Sequence, residues 1–342
     1  MPVLIINSWY DDSGHETEGH PERPSRSEEA RAAVEDLHLG SDLVEAPAHR
    51  ATRSELEKVH TGAYLDELEA FCRGGGGYID ADTYASPASW AIAHEAVGSG
   101  LSVVRELQRR QRGIGFVASR PPGHHAPADR AMGFCLFNNV AVAAAELAEA
   151  GERVLIVDWD VHHGNGTQDI FWNDPRVLYV STHQSPLYPD TGWAKEIGGN
   201  DALGLTVNVP LPAGATGDVA RHAIDDVVAP VVEQFSPTWV LVSAGFDAHA
   251  ADPLAELRLT SGDFAALARS VAGFAPSPGR LALFLEGGYD LAALRASVSA
   301  SLGAVLGVPV AAEEPSSGGP GLEHVRRARL DRAAAIEADG SE

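Results

Sequence analysis

The sequence predicts an α/β protein, with a mostly parallel central sheet between two helical layers (α/β/α). Three observations predict it. Apolar runs rich in β-branched residues alternate with longer, helix-period segments along nearly the whole chain, the pattern that builds parallel sheets. Four unusual polar motifs each follow directly on one of those runs, and open α/β sheets bind ligands outside the carboxyl ends of their strands. The chain has 342 residues, 44% hydrophobic and 21% charged, enough for one large core. No internal repeat or clear linker interrupts it. One domain is therefore expected over 1–310, followed by a polar, partly helical tail over 311–342.

In order along the chain, Val3 to Ile6 reads as a first strand. The long polar loop Asp11 to Arg26 follows, and loops of that length often line a site. Ser25 to Leu37 is expected to be a helix. Thr52 with Glu55 has capping-box spacing and starts a short helix through Leu56 and Val59. Gly74 to Gly77 lacks the Lys and Ser/Thr of a phosphate loop and reads as a flexible turn. Apolar residues at Trp90, Ala93, Val97, Leu101, Val104 and Leu107 mark an amphipathic helix. Gly113 to Ala118 is a strand, ended by Arg120-Pro121-Pro122-Gly123 before the tandem His124-His125. Asn139 to Ala150 is an Ala-rich helix. Arg153 to Val157, Val177 to Ser181 and Leu205 to Val209 are strands. Asp218 to Phe235 is expected to be one helix with Val219, Ala223, Val227, Val231 and Phe235 on its buried face. The strand Trp239 to Val242 runs into Ala244-Gly245-Phe246-Asp247. Thr260 and Asp263 start the next helix. Leu281 to Leu285 is a strand ending in Glu286-Gly287-Gly288-Tyr289, and Asp290 caps a helix to about Gly307. A charged helix is expected within Leu322 to Ile336, with frayed residues beyond.

Composition narrows the function. A net charge of −23 disfavours nucleic-acid binding, which recruits Lys and Arg. The two cysteines, Cys72 and Cys135, are too few for a disulfide framework or a Cys-rich zinc site. No signal peptide and no membrane-length apolar run is evident. A soluble cytoplasmic protein without a membrane partner is expected; assembly into a homo-oligomer is left open.

The chemistry centres on Val157-Asp158-Trp159-Asp160-Val161-His162-His163-Gly164-Asn165-Gly166. Residues two apart in an extended segment point the same way, so Asp158, Asp160 and His162 converge on one side. Oxygen and nitrogen donors without Cys suit Zn²⁺ or Mn²⁺. Asp160, His162 and Asp247 would supply three ligands and leave a position open, as catalytic zinc requires. His124 or His125 could move a proton, and Tyr289 could donate to an oxyanion. No covalent nucleophile is needed, and the set fits amide or ester hydrolysis. Each part has a bland reading taken singly: a salt-bridged strand end, a surface His pair, a turn, a cap. Their joint placement at strand ends argues against four coincidences.

As a set, Arg120 to His125, Gly133 to Asn139, Val157 to Gln168, Ser243 to Asp247 and Leu285 to Tyr289 resemble zinc-dependent histone deacetylase-like amidohydrolases of the arginase/deacetylase fold, closest to the class II branch. The match spans roughly Val3 to Gly307. It implies a catalytic domain over 1–310 with one Zn²⁺ held by Asp160, His162 and Asp247. His125 would be general base and acid, and His124 its electrostatic partner, oriented by Asp158. Asn165, behind the second His, is the class II pattern. Tyr289 would be the oxyanion donor. Phe134 and Tyr188 resemble the walls of an acyl-lysine tunnel, Gly133 would offer its carbonyl there, and Asp82 resembles a rim residue that holds substrate backbone. A structural K⁺ is implied near Asp158 and Ser181, with the carbonyls of Asp160 and His162. The implied substrate is an acyl-lysine peptide or small acyl-amide.

Three alternatives remain. An acetylpolyamine amidohydrolase shares the chemistry, but its acidic gatekeeper position corresponds to Leu254 here. A binuclear manganese ureohydrolase would need an Asp where Gly164 stands, and His249 reads as a loop residue rather than a substitute. A catalytically dead acyl-lysine binding module is disfavoured by the intact ligands, tandem His and Tyr289.

Overall fold

The computed structural model describes residues 3–16 and 19–339. Thr17 and Glu18 of the predicted first loop, and the end of the chain where fraying is expected, lie outside the described residues. The strands are β1 (Leu4–Ile6), β2 (Leu43–Glu45), β3 (Gly77–Tyr78), β4 (Tyr84–Ala85), β5 (Ile114–Val117), β6 (Val154–Asp158), β7 (Val177–Gln184), β8 (Thr206–Leu211), β9 (Trp239–Ala244) and β10 (Leu281–Leu285). The helices are α1 (Ser25–Glu35), α2 (Arg53–Leu56), α3 (Gly62–Arg73), α4 (Ser89–Arg110), α5 (Asn139–Glu149), α6 (Asn165–Phe171), α7 (Gly217–Ala223), α8 (Ala229–Phe235), α9 (Ser261–Ala272), α10 (Leu291–Leu306) and α11 (Leu322–Asp339).

Eight strands form one sheet in the order β2-β1-β5-β10-β9-β6-β7-β8, and every pairing in it is parallel. Its strands, the edge strand β2 apart, are buried on both faces, and alternate residues feed two separate cores. In β6, Leu155 and Val157 join one core with Val34, Val219, Phe264 and Leu294. Val154 and Ile156 join the other with Leu65, Val97, Val140 and Phe171. The fold is thus the three-layer α/β/α sandwich the sequence predicts. None of the helices among the described residues is long and apolar enough to cross a membrane.

Several elements differ from expectation. The short edge strand β2 is half exposed, so it carries no clear hydrophobic alternation. Helix α3 went unpredicted although Thr61 caps its start and Tyr64, Leu65, Leu68 and Cys72 line its buried face. The Gly74–Gly77 turn leads into a small antiparallel hairpin of β3 and β4. The predicted helix Asp218 to Phe235 is broken by a π turn at Ile224–Val228. Pro230 lacks the N–H that an uninterrupted α-helix would need there. The extra residue delays the buried face by one: Val228 and Val232 are buried, while Val231 and Phe235 are only partly so. After Val310 the chain is tied to the start of α9, where Glu313 accepts from the Ser261 amide at 2.9 Å. Helix α11 then packs beside the edge strand β8, burying Val325 and Ala328.

Candidate metal centre and active site

Strands β5, β10, β9 and β6 lie side by side, so the four polar motifs leave one rim of the sheet. Asp158 ends β6 and is the register partner of Ser181 on β7 and Ser243 on β9. The chain then coils, and its amides bond back to the carboxylates: Asp160 N to Asp158 Oδ1 at 3.1 Å, and His162 N to Asp160 Oδ1 at 2.9 Å.

Asp160, His162 and Asp247 place one ligand atom each within 4.8 Å of one another. Nδ1 of His162 lies 3.2 Å from Asp160 Oδ1 and 3.3 Å from Asp247 Oδ2. Asp160 Oδ2 also accepts from the Gly287 amide at 2.8 Å, and Asp247 Oδ1 from the Val161 amide at 3.0 Å. Asp247 Oδ2 is buried and has no hydrogen-bond partner. Burial disfavours charge on His162, yet the two carboxylates outweigh it and push its pKa up to about 10. The same field attracts a cation. Room is kept for one: a Cβ on Gly287 would come within 1.9 Å of Asp247 Oδ2, so only glycine fits there.

The tandem His lies beside this cluster, the two rings 4.1 Å apart. Nδ1 of His124 is 2.9 Å from Asp158 Oδ2, and Nδ1 of His125 is 2.9 Å from Asn165 Oδ1. An amide oxygen only accepts, so Nδ1 of His125 must carry the proton and Nε2 is left as an acceptor. Burial opposes charge on His124, but Asp158 and Asp160 prevail and hold its pKa well above the usual range. Burial, then the neighbouring His124 and His162, holds His125 well below it. Tyr289 is buried, and desolvation raises its phenol pKa, so it stays a donor.

A cavity of about 220 Å³ beside these groups is lined by His124, His125, His162, Gly287 and Tyr289 together with Asp82, Pro122, Gly133, Phe134, Leu187, Tyr188 and Leu254. Every predicted wall and rim residue is therefore in one place. Ser181 sits apart, fully buried, its hydroxyl 2.9 Å from Nδ1 of His183. His249 is turned away, bonding Glu313 at 2.9 Å.

Sequence reading assigned no role to Glu286 or Asp252. Glu286 is buried and accepts from the amides of Gly123 at 2.7 Å and His124 at 3.1 Å and from the Ser243 hydroxyl at 3.1 Å. Asp252 accepts from the Tyr289 amide at 2.7 Å. A carboxylate in an otherwise apolar strand end was the available signal for Glu286. No local pattern marks Asp252.

Comparison with known proteins agrees with this geometry. A family model described as "Histone deacetylase domain" matches residues 20–305. "Histone deacetylase 10, chloroplastic" of Oryza sativa subsp. japonica is 40% identical over 86% of this chain and 72% of that protein. A "Histone deacetylase-like amidohydrolase" of Pseudomonas aeruginosa is 37% identical over 80% of this chain and 73% of its own length. A solved structure described as the HDA15 HD domain superposes with a TM-score of 0.86 at 34% identity, covering 100% of this chain and 99% of that one. With its strand-end carboxylates, tandem His and matching domain, this chain belongs to the histone deacetylase family of deacetylases and amidohydrolases.

Proposed function

We propose that the chain hydrolyses acyl-amide bonds with one zinc ion, removing acetyl or other acyl groups from acyl-lysine side chains or related small amides. The observation that carries this reading is the convergence of two buried carboxylates and an imidazole, Asp160, Asp247 and His162, whose ligand atoms lie within 4.8 Å of one another. A buried carboxylate is costly unless a cation or donor completes it. Two carboxylates and an imidazole suit zinc.

When bound, zinc supplies a Lewis acid that brings a water pKa to about 7 and polarises the amide carbonyl. His125 Nε2 takes the proton of the attacking water and returns it to the leaving amine. His124 keeps its proton, held by Asp158, and stabilises negative charge. The Tyr289 hydroxyl donates to the developing oxyanion. Phe134 and Tyr188 exclude water along the acyl-lysine stem, with Gly133, Leu254 and Asp82 toward the rim. Asp158, Ser181 and the carbonyls of Asp160 and His162 would hold a structural K⁺. A single catalytic metal is favoured over two. A side chain at Gly164 would put its Cβ 2.2 Å from Asp158 Oδ2 and 2.7 Å from the Tyr179 hydroxyl, so the bridging Asp of a binuclear site has no room.

The test is turnover of acetyl-lysine peptides, longer acyl-lysines and acetylated polyamines, with metal content measured on the same sample. Asp247→Ala should lose both metal and activity. Full metal and full turnover in that variant would overturn the assignment, and two metals per chain in the wild type would favour the binuclear reading.

A further inference from the structure

A second set of charges is buried away from the metal cluster. Glu22, Arg26, Arg120 and Asp12 are all almost fully buried. Glu22 Oε1 accepts from Arg26 Nη1 at 3.1 Å and from Arg120 Nε, while Oε2 accepts from Arg120 Nη2 at 2.6 Å. Asp12 Oδ2 lies 3.1 Å from Arg120 Nη1. His15 packs against them, and burial holds its pKa down to about 4, so it is neutral. Two guanidinium groups thus meet two carboxylates.

The arginines serve different halves of the site. Arg120 opens the loop after β5 that carries His124 and His125. Arg26, from α1, donates through Nε to the Gly288 carbonyl at 2.7 Å and through Nη2 to the Glu286 carbonyl. Its guanidinium lies 4.7 Å over the Tyr289 ring. The two loops leave adjacent strands, β5 and β10; beyond the sheet hydrogen bonds the Glu286 carboxylate joins them through the Gly123 and His124 amides, and Arg26 holds the backbone carbonyl of that same Glu286.

We propose that Glu22 is a positioning residue for the hydrolysis: by gripping Arg26 and Arg120 together, it fixes the loop bearing Tyr289 against the loop bearing the tandem His. This rests on the function proposed above. Apolar residues can often replace a buried ion pair without loss of stability, so packing alone does not call for these charges. A guanidinium is a planar fork with donors at fixed angles. One carboxylate shared by two such forks transmits orientation from loop to loop. An error of about 1 Å in a reacting group can lower the rate about 10²-fold.

The experiment compares Glu22→Gln, Tyr289→Phe and the double variant on an acetyl-lysine peptide at equal metal content, with amide hydrogen exchange on each protein. Tyr289→Phe should lower kcat about 10²–10³-fold. Glu22→Gln should lower kcat about 10²-fold with KM within about threefold, and the double variant should fall no more than about threefold below Tyr289→Phe, because loosening the loop acts chiefly by misplacing the Tyr289 donor that the second substitution removes. Exchange should rise at Gly123–His125 and Gly287–Tyr289 and stay unchanged in β6 and β9. Losses that multiply in the double variant, or unchanged exchange in both loops, overturn the proposal. Should Glu22→Gln fail to fold, Arg26→Lys takes its place: one ammonium keeps the charge but cannot span two carbonyls and Glu22, and the same outcomes decide. If the wild type hydrolyses none of the amides while both loops respond in exchange, the proposed function fails and the coupling of the loops stands.

Discussion

At the scale of single residues, two adjacent histidines are given opposite proton affinities by what stands behind them. His124 backs onto a carboxylate and His125 onto a neutral amide. Burial works against a proton on either ring and Asp160 favours one on both, but only His124 also faces Asp158, and there the carboxylates outweigh burial. In the proposed hydrolysis the neutral ring accepts the proton and the charged one stabilises. His125→Ala should therefore abolish turnover while zinc and inhibitor binding survive. His124→Ala should keep a measurable residue of activity. The check is kcat/KM against pH for wild type and both variants at equal zinc content. If His125→Ala retains the wild-type acidic limb and His124→Ala loses it, the roles are exchanged. The clustering of Asp160, His162 and Asp247 and of the His pair was legible in sequence because each sits beside its strand end. The proton assignment was legible only in part, since it depends on partners 34 and 40 residues away.

At the scale of elements, hydrophobic period located most helices and strands but not their phase. Between α7 and α8 the spacing continues as a regular helix on paper. The π turn at Ile224–Val228 adds one residue, and Val232 takes the core position that Val231 would otherwise hold. Val232→Ala should then cost roughly 2 kcal/mol, the transfer energy of the lost methyl groups plus some cavity. Val231→Ala should cost under about 1 kcal/mol. Urea midpoints of the two variants decide; the reverse order would mean an unbroken helix. Helix α3 shows a different failure. Its Thr61 cap and its apolar face at Tyr64, Leu65, Leu68 and Cys72 are both present in the sequence, directly after the shorter helix α2.

At the scale of the whole molecule, acid stability should be set partly by histidines buried without charge. His15, His60 and His183 each have a pKa lowered to about 4, chiefly by burial. Between the ordinary value of 6.5 and about 4, the unfolded chain binds protons that the folded chain excludes. Their contribution is complete above pH 6.5 and is lost as pH falls toward 4. Two carboxyls beside the candidate site act in the opposite sense: burial raises Glu286 from 4.5 and Asp252 from 3.8 to about 7, and a raised acid weakens the fold as pH rises from its ordinary value to the raised one. A variant difference isolates one group. His60→Gln can keep an acceptor for the Asn138 amide, now bonded at 2.9 Å, and removes one titration. The slope of unfolding free energy between pH 6.5 and 4 should drop by up to about 1.4 kcal/mol per pH unit. An unchanged slope from denaturant curves across that range would show that His60 stays charged when folded.

What the sequence determined by itself was set within a few residues of each position. Apolar period and caps set the alternation of strands and helices, and the strand-end motifs marked the residues that converge on one rim: Asp160, His162 and Asp247, the tandem His and Tyr289. Only the tertiary structure decided how those motifs are held. The Arg26 bond to Gly288 joins residues 262 apart, the Arg120 bond to Glu22 residues 98 apart, and Glu286 reaches the Gly123 amide across 163. Charged residues of these types are ordinarily solvated and leave no periodic trace in a sequence. They become partners only when parallel strands bring distant loops to one rim and burial leaves them no water to bond instead.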